Sequence, residues 1–328
     1  MKKLLTIIMI CALSLILAGC KKESENTQLR IAYFANITHA QAMVMKSQGR
    51  LEEKLGEGCE VSWTAFNAGP AVTEAMFAGE IDLAYIGPVP AINAYVKSDG
   101  DIRIIAGATN GGAVLVSRKD LIMQTISELS GKTVAVPQFG NTQHLLLLNI
   151  LSENGLETTS NGGTVNVIAV ANADVEALMD RGEVDAALVP EPWGSVLEGK
   201  VNANLVLDAT ALWKDGNYST AVVIVSKDFL DNHKDIVEEF MIVHKDATIY
   251  INENYEEAKS IVNEQIEIVT SKTIPQEVLD KAFSSLVVSE LIPSESINEY
   301  AEISMKAGFI EKMPDEKLID SSVLEGTK

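Results

Sequence analysis

The chain reads as an α/β protein of two lobes, on three observations. Short apolar runs alternate with amphipathic helical patterns from Leu29 to about residue 198. Beyond the N-terminal apolar run some 300 residues remain, more than one hydrophobic core usually holds. Two stretches, "AVLVSRKDL" (113–121) and "AVVIVSKDFL" (221–230), are near copies and mark the expected crossings between lobes.

In chain order, strands are predicted at 29–34, 61–66, 82–87 and 102–108, then at 133–137, 165–170 and 185–189. Each is a short β-branched or aromatic run between turn residues. Helices are predicted at 38–55, 69–79, 89–97, 142–154, 173–181 and 192–198. Pro70 opens one at its first turn and Gly79 closes it. The βαβα rhythm implies a mostly parallel sheet in each lobe. After Lys227 the pattern is helical, at 229–251, 254–268, 276–286 and 294–307. If the chain leaves the first lobe near Ser117 and returns near Ser226, lobe 1 is discontinuous (29–117 plus 222–328) and lobe 2 is the insertion 118–221.

Residues 1–19 have the layout of a secretory signal: Lys2 and Lys3, an apolar run from Leu4 to Leu17, and small residues before Cys20. "LAGC" resembles the bacterial lipobox, so Cys20 is expected to carry an acyl anchor of the palmitate type and 20–28 to form the tether. Of the three cysteines, Cys11 leaves with the signal and Cys20 takes lipid. Cys59 alone remains, so neither an internal disulfide nor a Cys-x-x-Cys metal pair is available. The formal charge of −20 argues against nucleic acid. It leaves anionic ligands open, because local dipoles outweigh screened distant charge.

In open α/β sheets ligands sit beyond the carboxyl ends of strands. Those ends read "ANITHA" (35–40), "NAGPA" (67–71), "GPVPA" (87–91), "FGNTQ" (139–143) and "PEPW" (190–193). Helix N-termini leave N–H groups unpaired and carry partial positive charge, so an anion is the fitting ligand. Gly and Ala let the backbone approach, while Asn36, Thr38, Asn141 and Thr142 add donors. Phe139 and Trp193 flank this jaw and are expected to cover an organic tail.

These loops, in this order, resemble the solute-binding proteins of ABC importers in the aliphatic sulfonate, taurine and nitrate branch. The resemblance runs over about 29–230, through "YFANITHA", "FNAGPAVTEAMFAGEID", "YIGPVPAIN", "GATNGG", "GKTVAVPQFGNTQ" and "VPEPW". Ala35 departs from the Pro usual in that branch. The resemblance implies a periplasmic-binding-protein type II fold whose lobes close on a small anion. It further implies a monomeric, non-enzymatic lipoprotein on the extracytoplasmic face, without cofactor, delivering to a permease and its ATPase. Carried over by position, the ligand contacts are Asn36, Thr38, His39, Asn67, Ala68, Gly69, Gly87, Pro88, Gly140, Asn141, Thr142, Gln143, Glu191 and Trp193. Aliphatic sulfonate or taurine is the expected ligand; nitrate, or a pyrimidine or aromatic precursor, is the alternative.

The rival class is a metal-dependent enzyme or metal binder using His39, His144 and Glu191. No H-E-x-x-H, G-x-S-x-G or phosphate-loop motif accompanies the four histidines. His233 and His244 fall on surface-patterned helices and are expected to be solvated.

Overall fold

The computed structural model describes residues 27–326. The signal segment 1–19, Cys20 and the tether up to residue 26 lie outside the described residues. The last two tether positions do not: β1 (Thr27–Phe34) already contains them.

The first run of elements continues with a 3-10 turn at Ile37–His39, α1 (Ala40–Gln48), α2 (Arg50–Leu55), β2 (Cys59–Phe66), α3 (Gly69–Phe77), β3 (Leu83–Ile86), α4 (Pro88–Lys97) and β4 (Ile102–Gly111). The second comprises β5 (Ala113–Ser117), β6 (Thr133–Val136), α5 (Thr142–Glu153), β7 (Asn166–Ala169), α6 (Val175–Asp180), β8 (Ala186–Pro190), α7 (Trp193–Val201), β9 (Asn204–Leu207) and α8 (Ala209–Leu212). The chain then returns through β10 (Ser219–Ser226). It ends in α9 (Lys227–Asn232), α10 (Lys234–Glu253), α11 (Tyr255–Thr270), α12 (Gln276–Ser284), β11 (Leu286–Val288), α13 (Ser294–Lys306) and α14 (Ser322–Glu325). The helix expected over 38–55 is broken at Gly49, whose φ of 62° is a left-handed C-cap. β9 and β11 are short strands that the sequence reading passed over.

Two sheets form, ordered β11-β4-β10-β3-β1-β2 and β7-β6-β8-β5-β9. The βαβ units are parallel, β1 with β2 and β3, and β6 with β7 and β8. Both sheets are nevertheless mixed, because β10 runs antiparallel between β3 and β4, and β5 antiparallel between β8 and β9. The expected mostly parallel sheets are corrected accordingly.

The crossing points also differ from the expectation. β5 is an interior strand of the second sheet, so the chain changes sheets at Gly111–Gly112 and not near Ser117. All of β10, from Ser219, belongs to the first sheet. The two near-copy stretches therefore lie in different sheets and do not pair. Their likeness reflects a shared environment, since the strand within each, β5 in one and β10 in the other, is buried along almost its whole length. A fragment 118–221 would lack its interior strand β5. The C-terminal helices brace both halves: α10 and α11 pack on α1, whereas α12 packs on α7. β1, β2 and β3 aim their carboxyl ends at the same cleft as β6, β7 and β8, which is what places the site.

Candidate functional site

Between the sheets lies a small cavity, walled by loops from both lobes. From the first come Phe34, Asn36, Thr38, His39, Asn67, Ala68, Gly69, Gly87 and Pro90. Facing them are Pro137, Asn141, Thr142, Gln143, Asn172 and Pro190, with Thr220 of β10 behind.

The chemistry of these walls is donor-rich. Asn36 Oδ1 accepts from Thr38 Oγ1 at 2.5 Å, so the Asn36 amide retains its N–H₂ donors. The Thr38 carbonyl is pinned by Thr109 Oγ1 at 2.7 Å. His39 is buried and its ring stacks on Phe34 at 4.4 Å. Its Nδ1 accepts from the Phe34 N–H at 3.1 Å. Burial drives its pKa down to about 3, so the ring is neutral with its proton on Nε2, a fixed donor. Across the cleft, Asn141 Oδ1 caps α5 by accepting from the His144 N–H at 2.8 Å, again leaving amide N–H groups.

The helix ends contribute unequally. At α3 and α5, the Gly69, Ala71, Thr142 and Gln143 N–H groups have no acceptor among the described residues. These are the orphan donors of a first helical turn, supplied from opposite lobes. At α4 the expected donors are missing, because Pro88 and Pro90 have no N–H. The remaining one, Val89 N–H, is taken across the cleft by Thr142 Oγ1 at 3.3 Å. α4 thus serves as a docking surface for the second lobe, as does the Ile37 N–H, which donates to the Glu191 carbonyl at 3.2 Å. Among the described residues no Lys, Arg, Asp or Glu lines the cavity. Whatever binds meets helix dipoles and neutral donors.

Residues 22–266 match the NMT1-like family. The chain belongs to the NMT1-like family. A relative in Escherichia coli K12, named for binding aliphatic sulfonates, is 28% identical over 225 residues, 67% of each chain. Among solved structures, the alkanesulfonate-binding protein of Xanthomonas axonopodis pv. citri bound to MOPS superposes with a TM-score of 0.75. It is 20% identical and the match covers 90% of this chain and 98% of that one. The ligand-binding component of an ABC-type import system from Staphylococcus aureus, with zinc bound, gives 0.76 at 17% identity, over 92% and 99% of the two chains. The expected class, two α/β lobes with a cleft between them, is the fold of this NMT1-like chain.

Ten of the fourteen residues named from the sequence line the cavity: Asn36, Thr38, His39, Asn67, Ala68, Gly69, Gly87, Asn141, Thr142 and Gln143. Four do not. Pro88 is buried at the start of α4, whose turn presents Pro90 to the cavity instead. Gly140 faces an outer groove with Phe139, and its N–H donates to His144 Nδ1 at 3.1 Å. Trp193 is 3% exposed in the hydrophobic core. The Glu191 carboxylate turns back to cap α7, accepting from Ser195 N–H at 3.0 Å and Ser195 Oγ at 2.9 Å. Trp193 as a cover for a ligand tail is therefore withdrawn, and Phe139, 52% exposed, stands outside the cavity.

The sequence reading missed Phe34, Pro90, Pro137, Asn172, Pro190 and Thr220 in the NMT1-like cleft. Pro190 stands in the strand-end loop "PEPW" without being named as a contact, and Pro137 and Asn172 follow the same rule at the ends of β6 and β7. His244, expected to be solvated, is fully buried. Its Nε2 donates to the Gly107 carbonyl at 3.0 Å, and its Nδ1 accepts from Tyr85 Oη at 2.7 Å. Among the described residues no three His, Cys, Asp or Glu side chains gather as a metal site.

Proposed function

We propose that this chain is the extracytoplasmic solute-binding component of an ABC importer, not an enzyme, and that it captures a small organic sulfonate between its lobes for a permease and its ATPase. The observation that carries the reading is the cavity itself: N–H, amide and imidazole donors converge from both lobes without any charged side chain. A sulfonate is ionised at every physiological pH and offers three acceptor oxygens. Hydrogen bonds to such a charged group contribute about 1.5–3 kcal/mol each. The names of the sulfonate-binding relatives support the same class.

Nitrate would satisfy the same donors but has no organic tail to use the slot that adjoins the cavity. A pyrimidine or aromatic precursor has less support, because the Phe34 face is already stacked by His39 and Trp193 is in the core. The metal reading places His39, His144 and Glu191 on one ion, yet each already bonds a neighbouring backbone N–H. Calorimetric titration with methanesulfonate, ethanesulfonate, nitrate and zinc separates these readings. A sulfonate is expected to bind tightest, with an affinity flat between pH 5 and 8, since His39 stays neutral down to about 3. Thr142→Val is expected to weaken it by about tenfold or more. Tightest binding of nitrate or zinc overturns the proposal, as does an affinity that climbs tenfold from pH 8 to pH 6.

We further propose that lipid on Cys20 holds the protein at the membrane through the polar segment behind it. One acyl chain anchors only marginally, so more than one chain is implied. Cys20→Ser is expected to move the protein from the detergent phase to the aqueous phase or to block its processing. A variant that partitions like the parent excludes the anchor.

A further inference from the structure

A closed cavity that binds only an anionic head should present donors alone. One wall breaks that pattern. Of the residues that carry a buried side-chain polar atom without a hydrogen-bond partner among the described residues, Asn172, through Oδ1, is the one that lines the cavity. It is an acceptor, and a buried acceptor without a donor is costly.

Its position in the fold indicates which part of a ligand it would meet. Asn172 opens the 3-10 turn that follows β7, an edge strand of the second sheet. On that side the cavity shares Asn67, Ala68 and Pro137 with an outer slot. The slot is walled by Ala65 and Ala71 from one lobe and Ala169 and Ala171 from the other. Of the orphan donors of α3 and α5, Gly69, Thr142 and Gln143 line the cavity itself, whereas Ala71 lines the slot. A ligand whose anion sits on the Gly69, Thr142 and Gln143 N–H groups would direct its chain past Asn172 toward this slot, where alanines alternate with Phe66 and Gln138.

We infer that Asn172 is a specificity residue that accepts a hydrogen bond from the ligand, so that a hydroxyalkanesulfonate is selected over the plain alkanesulfonate. The inference rests on the sulfonate reading above. A hydroxyl suits this wall better than an ammonium group. Among the described residues no carboxylate lines the cavity to pair with a desolvated cation, and one neutral amide oxygen does not compensate its lost hydration. A neutral hydroxyl needs one acceptor, and Asn172 supplies one.

The test uses pairs of probes that differ by one hydroxyl: ethanesulfonate against 2-hydroxyethanesulfonate, and propionate against 3-hydroxypropionate, with 2-aminoethanesulfonate as the cationic comparison. In calorimetric titrations of the parent, the hydroxylated sulfonate is expected to bind about tenfold tighter than ethanesulfonate and tighter than the amino compound. In Asn172→Leu that ratio is expected to fall to about one, through loss on the hydroxylated side. Asn172→Asp is expected to move the preference to the amino compound. A parent ratio near one overturns the inference without any variant, and so does a ratio that survives in Asn172→Leu. If the sulfonates fail but the carboxylate pair binds with the hydroxyl preference, the head-group reading falls and the role of Asn172 stands. If neither pair binds, both fall.

Discussion

Gly87→Ala is expected to leave the fold intact and to weaken ligand capture by at least about 100-fold. The backbone at Gly87 has φ −68° and ψ 150°, which any residue adopts, so an added methyl group carries no conformational strain there. What it meets lies in the other lobe. A Cβ at this position would overlap Thr142 Oγ1 and stand 3.3 Å from Thr142 Cβ. Thr142 is the first residue of α5, and its hydroxyl already accepts from Val89 N–H beside the same glycine. This is the seam along which the lobes meet, and it tolerates only hydrogen at position 87. Held apart, the lobes cannot bring the N–H groups of α3 and α5 onto one anion. Losing two charge-assisted hydrogen bonds at about 1.5–3 kcal/mol each accounts for the expected factor. Without ligand, the melting of the variant should stay near that of the parent, because the clash lies at the seam between the lobes and not within either core. Adding Thr142→Ala should recover part of the affinity by removing Oγ1. Parent-like affinity in Gly87→Ala would mean that the lobes need not meet here to bind.

The contrast between Gly87 and Glu191 also marks how far the sequence could be read. Strand-end loops are local features: a short apolar run, then Gly, Pro, Asn or Thr, then a helical pattern. Residues such as Asn36, Gly69 and Asn141 could therefore be placed at the cleft from the one-dimensional pattern. Which side of a loop a residue turns to is set by its partner, and partners are distant. Glu191 bonds Ser195 and Gly112, and Trp193 joins a core contributed by other elements. Nothing in "PEPW" separates a carboxylate aimed at a ligand from one that caps its own helix. Sheet membership failed for the same reason. β5 and β10 are nearly the same string in nearly the same environment, and only their pairing, with β8 and β9 or with β3 and β4, assigns them to lobes. Asn172 was readable but overlooked, since it follows a strand end as the other site loops do.

Glu191→Gln is expected to stabilise the unliganded protein by roughly 3 kcal/mol at pH 8 and by progressively less toward pH 4.5. The Glu191 side chain is shut away from water. Burial pushes its pKa from the ordinary 4.5 up to about 7, against the opposing pull of its two bonds from Ser195; Glu198 nearby raises it and Lys281 lowers it. The outer pocket beside it is also lined by Asp208 and Asp215. With the folded value above the unfolded one, the native state holds one more proton between those pH values, so stability falls as pH rises through that window and then levels off. At about 1.36 kcal/mol per pH unit, the displacement from 4.5 to about 7 gives the expected figure. The buried neutral histidines act in the opposite sense. His39 is held at about 3 and His144 and His244 at about 4, so their contribution is present above their ordinary value of 6.5 and is lost as pH falls below it. Those terms are common to parent and variant and cancel in the difference. Gln can keep both bonds to Ser195, with Oε1 accepting from the N–H and Nε2 donating to Oγ. Urea midpoints of the two proteins from pH 5 to 8.5 read the difference directly. A gap that grows as pH rises and flattens above 7 is the expected result. A constant gap, or a variant less stable at pH 8, would mean that Glu191 is ionised in the native state and that its charge is already compensated where it stands.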